Sequence, residues 1–435
     1  MKQLLNFAEY QVPENIKLFR ITDDLSIPAC HVYMEAQIFA PDSSFFIFHQ
    51  SAHPHGSDPA DPMHRYLLCD LKNKGEIISL TDECGVTAPA LSPDGKYFYY
   101  FIDDLDRNGS LRFMRIDLQN NRKKDELCRL SGDSQFAPAA PFYPLSTISS
   151  DGQHIAISTA LKKKKTDEWN EFALWIFDTS TGEYTCPLHG LEYCNLHLQY
   201  SRDISAPRTI LIQHNHGSRL TCENGVRKGV SHVAAMDITA GCKLRKYKEE
   251  FSPQLEHTGY GLDLHIIEDD ASNWRSLPAG RNGREFCQGH QCWRGKSNKV
   301  ITSTLLFHGN RSATQELIEM TSFPGELHLN NADCDAGIRN ILSREVEPPH
   351  FLHFATDDAG QKLISDYEAD NGEWHLYSGS FRDNSAPADM TFILNMGSRE
   401  KSKWHPHPFL SPDGKSGFFN SAAEGSLQPY MVVFQ

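Results

Sequence analysis

His405 and His407 stand at i and i+2 in the run Trp404-His405-Pro406-His407-Pro408. In an extended strand that spacing puts both imidazoles on one face. Two imidazoles on one face can hold a single ion, and a third from another strand completes a facial set with open positions. Such a set needs no thiolate, and on softness grounds it suits Mn, Fe, Ni or Zn. Other histidines sit in similar settings: His31 in Ala29-Cys30-His31-Val32-Tyr33, His197 in Asn195-Leu196-His197, His290 in Gly289-His290-Gln291, and His350 and His353 in Pro349-His350-Phe351-Leu352-His353. Any one of them, taken alone, reads more simply as a hydrogen-bonded core histidine. Their recurrence at matching places is what points to a metal centre.

The places match because the chain repeats. Leu410-Ser411-Pro412-Asp413-Gly414-Lys415 reproduces Leu91-Ser92-Pro93-Asp94-Gly95-Lys96. Related turns precede strand-like runs at Pro41-Asp42-Ser43 (FFIFHQ), Ser150-Asp151-Gly152 (QHIAIS), Ser201-Arg202-Asp203 (TILIQH), Arg294-Gly295 (KVITSTLLF) and Asp357-Asp358-Ala359-Gly360 (QKLIS). That makes seven copies, the fifth lacking its Asp. Second hairpins with period-2 alternation follow, as in Leu111–Asp117 and Phe172–Asp178. The spacing suits four-stranded blades, so the expected fold is all-β, a seven-bladed β-propeller forming one domain over 1–435. After Pro429–Phe434 no strand remains for the last blade; Ile16–Thr22 is expected to supply it and close the ring. The interval before the fifth copy is too long, which places an insertion at roughly 217–284. A shorter one, residues 51–63, carries His53-Pro54-His55.

In a propeller the innermost strand of each blade lies just before this turn and lines the central channel. His197, His290, His353 and His407 are therefore expected at similar depth on blades 4 to 7, with His31 beside them across the closure. Blades 2 and 3 offer Thr87 and apolar or small residues instead.

Composition narrows the partners. A formal net charge of -14 over 435 residues argues against nucleic acid. It also means that an anionic ligand would need a locally positive site. The Lys162–Lys165 run reads as a solvated loop. No apolar run approaches the ~20 residues of a membrane helix, and Met1–Asn6 does not read as a signal peptide. The 11 cysteines are odd in number and unpatterned, which favours a reduced, cytoplasmic setting. No GxSxG elbow indicates a hydrolase.

The His-Pro-His-Pro run before a final Ser-Pro-Asp-Gly turn resembles the oligogalacturonate lyases, cytoplasmic seven-bladed propellers that use a divalent metal, usually manganese. The resemblance extends to Leu18–Asp24 followed by Cys30-His31, to Thr179–Glu183, to Asn195–Tyr200, to Gly289–Trp293 and to Pro348–His353. It implies that His290, His405 and His407 are metal ligands, that the cofactor is Mn2+, and that His197 is the base. His31, His353 and Arg202 would then line the site for a short anionic oligosaccharide. Two departures stand out. The glutamine expected upstream of the histidine pair falls on Ser402, for which His353, Gln288 or Gln291 could substitute. A catalytic arginine on the third blade falls near Ala173 or Leu174, so Arg202 or Arg208 would have to replace it. The implied reaction is β-elimination in a 4-linked uronide. A non-catalytic TolB-like propeller and a uronide- or metal-binding pseudo-enzyme are the alternatives.

Overall fold

The computed structural model describes residues 1–34, 36–51, 61–104, 110–130, 138–162, 167–215, 219–223, 226–230, 263–277, 279, 285–308, 312–321, 339–344, 351–381, 389–398 and 404–435. The His53–His55 loop, His350 and Ser402 lie outside them. Seven sheets form the blades of a β-propeller, each built of antiparallel neighbours taken in order from the axis outwards. Blade 2 is typical. Val86–Leu91 is innermost, followed by Tyr97–Asp104, Ser110–Asp117 and Lys123–Leu130. Innermost strands pack on one another through blades 2 to 4 and again through blades 5 to 7. Among the described residues there is no helix long and apolar enough to cross a membrane.

The repeated turn explains why the blades share a register. Ser92, Ser149 and Ser411 each donate their hydroxyl to the Asp two residues on, at 2.6, 2.6 and 2.7 Å. The glycine that follows takes a positive φ (72°, 74° and 65°), which costs a residue without Cβ little. Blade 6 substitutes Asp357, whose carboxylate accepts from the Gln361 and Lys362 backbone N–H groups. In every blade one residue starts this turn with a backbone bond. Ala40, Ser92, Ser149, Arg294, Asp357 and Ser411 each donate their N–H to the carbonyl five residues later, and Ser201 donates to Thr209.

Ring closure follows the sequence expectation. Ile16–Arg20 pairs with Gln428–Phe434 in the last blade, with Leu18 opposite Val432, and Lys2–Leu4 adds a fifth strand outside it. Arg20, buried, donates to Glu424 at 2.8 Å and to the Thr22 carbonyl. Phe39, Phe46, Phe409 and Phe418 interleave between the first and last blades with centroids 4.8–5.8 Å apart. Leu18 is fully buried in this seam. Leu18→Ala should therefore cost about 2–5 kcal/mol, read as a lowered denaturant midpoint. An unchanged midpoint would mean that the N-terminal strand does not hold the ring.

Blade 4 differs from the sequence expectation. Asp263–Glu268 and Arg275–Ser276, inside the stretch expected to be inserted, are its third and fourth strands, paired with Thr209–His214 and with each other. The long connection after His214 hides this from sequence spacing. What is added there includes a separate hairpin, Arg219–Glu223 with Val226–Val230.

Candidate metal centre

Counting back four residues from the turn-starting residue of each blade gives Ala36, Ala88, Leu145, His197, His290, His353 and His407. Four successive blades thus present a histidine at one level of the channel, and the other three present aliphatic side chains.

The backbone at this level is irregular, and that aims the side chains. The inner-strand ladder slips between Cys287 and Gln291 in blade 5 and between Phe351 and Phe354 in blade 6. Left-handed φ values occur at Ala88 (49°), His197 (44°), Gly289 (85°) and His407 (46°). Such bulges redirect a side chain out of the pleat, at about 1–3 kcal/mol for each non-glycine residue held there. The extended strand expected through residues 404–408 is absent: pairing begins only at Phe409. Pro406 and Pro408 bring no N–H to a ladder, so this segment is held otherwise. The Pro406 carbonyl accepts from the Asn420 N–H at 2.9 Å and lies 3.1 Å from His31 Nε2, while Asn420 Oδ1 accepts from the His31 N–H.

Despite that kink, His405 and His407 stay together, their rings nearly parallel with centroids 5.4 Å apart. One ligand atom from each of His353, His405 and His407 lies within 4.8 Å of the others. Two imidazole nitrogens at about 2.1 Å from one ion stand at most about 4.2 Å apart, so small ring rotations would suffice, and the donors are chemically suited. His290 abuts this trio, with its ring centroid 4.5 Å from that of His353. The Tyr33 ring contacts both His407 and His197, with centroids 4.7 Å and 5.7 Å away. Trp374, fully buried, backs His405 and His353.

His353 is fixed from behind by Asp366 on the next strand of its blade. The His353 backbone N–H donates to Asp366 Oδ1 at 2.8 Å, and its Nδ1 lies 2.8 Å from Oδ2. Burial pushes the Asp366 carboxyl up to about 7, against the pull of the His353 N–H and of His405. The His290 strand is tied to blade 4: Gln213 donates to Gly289 O at 2.6 Å and to Gln291 Oε1 at 2.8 Å, and Gln199 donates to Gln291 O. The Gln291 carbonyl group is thereby engaged by blade 4.

The remaining residues singled out in the sequence lie apart from the trio. His31 is buried behind it, its ring nitrogens 2.6 Å from the Val32 carbonyl and 3.1 Å from that of Pro406. Burial drives its pKa down to about 4 against the two carbonyls, so at neutral pH the ring carries one proton for two acceptors. The Cys30 thiol beside it is pushed up to about 12 by burial and stays protonated. Arg202 lines a different cavity, of about 450 Å³, formed by turn residues of several blades with Lys296 and Asp358. Its Nη1 is 3.9 Å from Asp358. Arg208 pairs with buried Asp269, which also accepts from Tyr200. Ala173 and Leu174 are wholly buried.

Sequence reasoning missed Tyr33, Asp366 and Asn420. Asp366 had a signal, being an acid inside the apolar run Leu363–Tyr367, but its partner depends on a cross-strand contact.

No family model matches the chain, and no curated protein matches it in sequence. Among solved structures, an oligogalacturonate lyase in complex with manganese is similar over 100% of this chain and 98% of its own, with 18% identity and a TM-score of 0.64. The oligogalacturonate lyase of Vibrio parahaemolyticus is similar over 99% and 96%, with 15% identity and a TM-score of 0.64. The chain thus shares, end to end, the seven-bladed propeller fold of two oligogalacturonate lyases.

Proposed function

We propose that this propeller is a metal-dependent lyase that cleaves short uronic-acid oligosaccharides by β-elimination, with His197 as base and a divalent ion, manganese, held by His290, His405 and His407. The observation that supports it most is the histidine cluster of three adjacent blades, His353, His405 and His407 with one ligand atom each within 4.8 Å of the others and His290 against His353, with His197 beside Tyr33. When bound, the ion would supply positive charge for the uronate carboxylate, which makes the C5 proton removable and answers the net charge of -14. A His197 ring nitrogen takes the proton from C5; the C5–H electron pair forms the C4–C5 double bond, and the C4–O4 bond breaks with its pair on the leaving oxygen. That oxygen is reprotonated by the same imidazolium or by water. Imidazole suits the task because its ordinary pKa lies near neutrality. The Tyr33 ring contacts both His197 and His407, which links the base to the metal-binding pair.

The test is product identity. Incubated with 4-linked galacturonate di- and trisaccharides and Mn2+, the protein should yield a C4–C5 unsaturated uronate and fragments whose masses sum to the substrate without added water. Hydrolysed fragments, or none with any 4-linked uronide, would overturn the assignment. The burial of Ala173 and Leu174 where the family resemblance calls for an arginine favours a second reading, a uronide-binding protein without turnover. Saturable binding with no cleavage is its signature.

A further inference from the structure

We infer that His353 is itself a ligand of the metal centre, and that the buried Asp366 is its positioning residue, so that the ion is held by an all-imidazole set drawn from three adjacent blades. This deepens the metal site of the proposed function and rests on that reading only for the existence of a bound ion.

His353, not His290, shares the tightest convergence of ligand atoms with His405 and His407. Its ring contacts all three other histidines of the cluster, at centroid distances of 4.5 Å to His290, 5.4 Å to His405 and 4.4 Å to His407. It is therefore the hub of the cluster, and an ion bound to the other imidazoles would lie against it. Asp366 holds it at two points, backbone N–H and Nδ1. A histidine whose Nδ1 is taken by a carboxylate coordinates through Nε2, its tautomer and ring plane set by the acid. The ladder slip between Phe351 and Phe354 places His353 in this position, and Ser365, adjacent to Asp366, donates its hydroxyl to the His353 carbonyl at 2.8 Å. A core histidine needing only a hydrogen-bond partner would be satisfied by Asp366 without being turned onto three further imidazoles. Neutral nitrogen donors favour borderline first-row ions over Mg2+ and Ca2+, which take oxygen.

The experiment is titration calorimetry of the metal-stripped full-length protein with Mn2+ and, separately, Co2+, whose visible absorption also reports the ligand set. Two variants are compared with the unaltered chain. His353→Asn keeps an amide N–H for Asp366 but is too short to reach the ion; Asp366→Asn keeps the imidazole but loosens its orientation. His353→Asn should weaken Co2+ binding by on the order of 100-fold or more and change the Co2+ spectrum, and Asp366→Asn should weaken it by about 10–100-fold. The thermal midpoint of the stripped protein reports folding separately, and should change less than the stabilisation that metal adds. Affinities and spectra unchanged in a folded His353→Asn, or in Asp366→Asn should the first not fold, would overturn the inference while leaving a metal site. No binding by the unaltered protein would overturn it together with the metal in the proposed function. The expected affinities without any uronide cleavage would uphold it and reject only the lyase.

Discussion

His197→Ala is expected to lower turnover of a 4-linked uronide by about 10²–10⁴-fold, the range supplied by a positioned base, while leaving bound metal at its original stoichiometry. The variant should fold, because the propeller already contains the proposed local structure: Ala88, at the same level of blade 2, adopts φ 49° against 44° at His197. An alanine in that conformation is thus tolerated by this architecture. The separation of effects also follows from position. His197 is not among the three histidines whose ligand atoms converge, so its loss removes a proton acceptor but no clustered donor. Steady-state kinetics with metal analysis by mass spectrometry would check both halves. Near-normal release of unsaturated product would rule His197 out as base.

His405→Ala should behave differently, losing metal and turnover together. The expected fall in affinity is at least the about 10–100-fold that loss of an outer-shell partner costs, because here a donor itself is removed. His407→Ala is the companion variant. It should match His405→Ala in metal loss, and its backbone at φ 46° again matches that of Ala88. Turnover should return in part at high Mn2+ concentration if the only defect is affinity. Full activity in metal-stripped His405→Ala would show that the reaction does not depend on the pair. Both variants leave Asn420, His31 and the Pro406 carbonyl in place, so the fold of the segment should survive.

The Ser-Pro-Asp-Gly turns were legible because each is a local device, a hydroxyl–carboxylate bond and a left-handed glycine, and local devices recur as spelling. Counting from them singles out four histidines at matching positions, and of these His290, His353 and His407 are in ring contact. That Asp263–Glu268 belongs to blade 4 was not legible, because a long connection separates it from its partner Thr209–His214. Nor was the kink at His407. A residue before proline ordinarily prefers extended backbone; here contacts of Asn420 and His31 with the Pro406 carbonyl, and of the His407 backbone N–H with the Asp366 carboxylate, hold it otherwise. Arg202, named as a replacement for the arginine the family resemblance calls for, has a partner in Asp358 that no local pattern in the sequence marks. Asp366 and Tyr33 needed a cross-strand and a cross-channel contact, neither of which leaves a periodic mark.

The most direct test of the account is anomalous scattering from crystals of the full-length protein grown with Mn2+. The account predicts one strong peak at the channel axis, within coordination distance of His353, His405 and His407, with His290 on the same ion. A peak elsewhere, or none at the histidines with Mn2+ in excess, would contradict it.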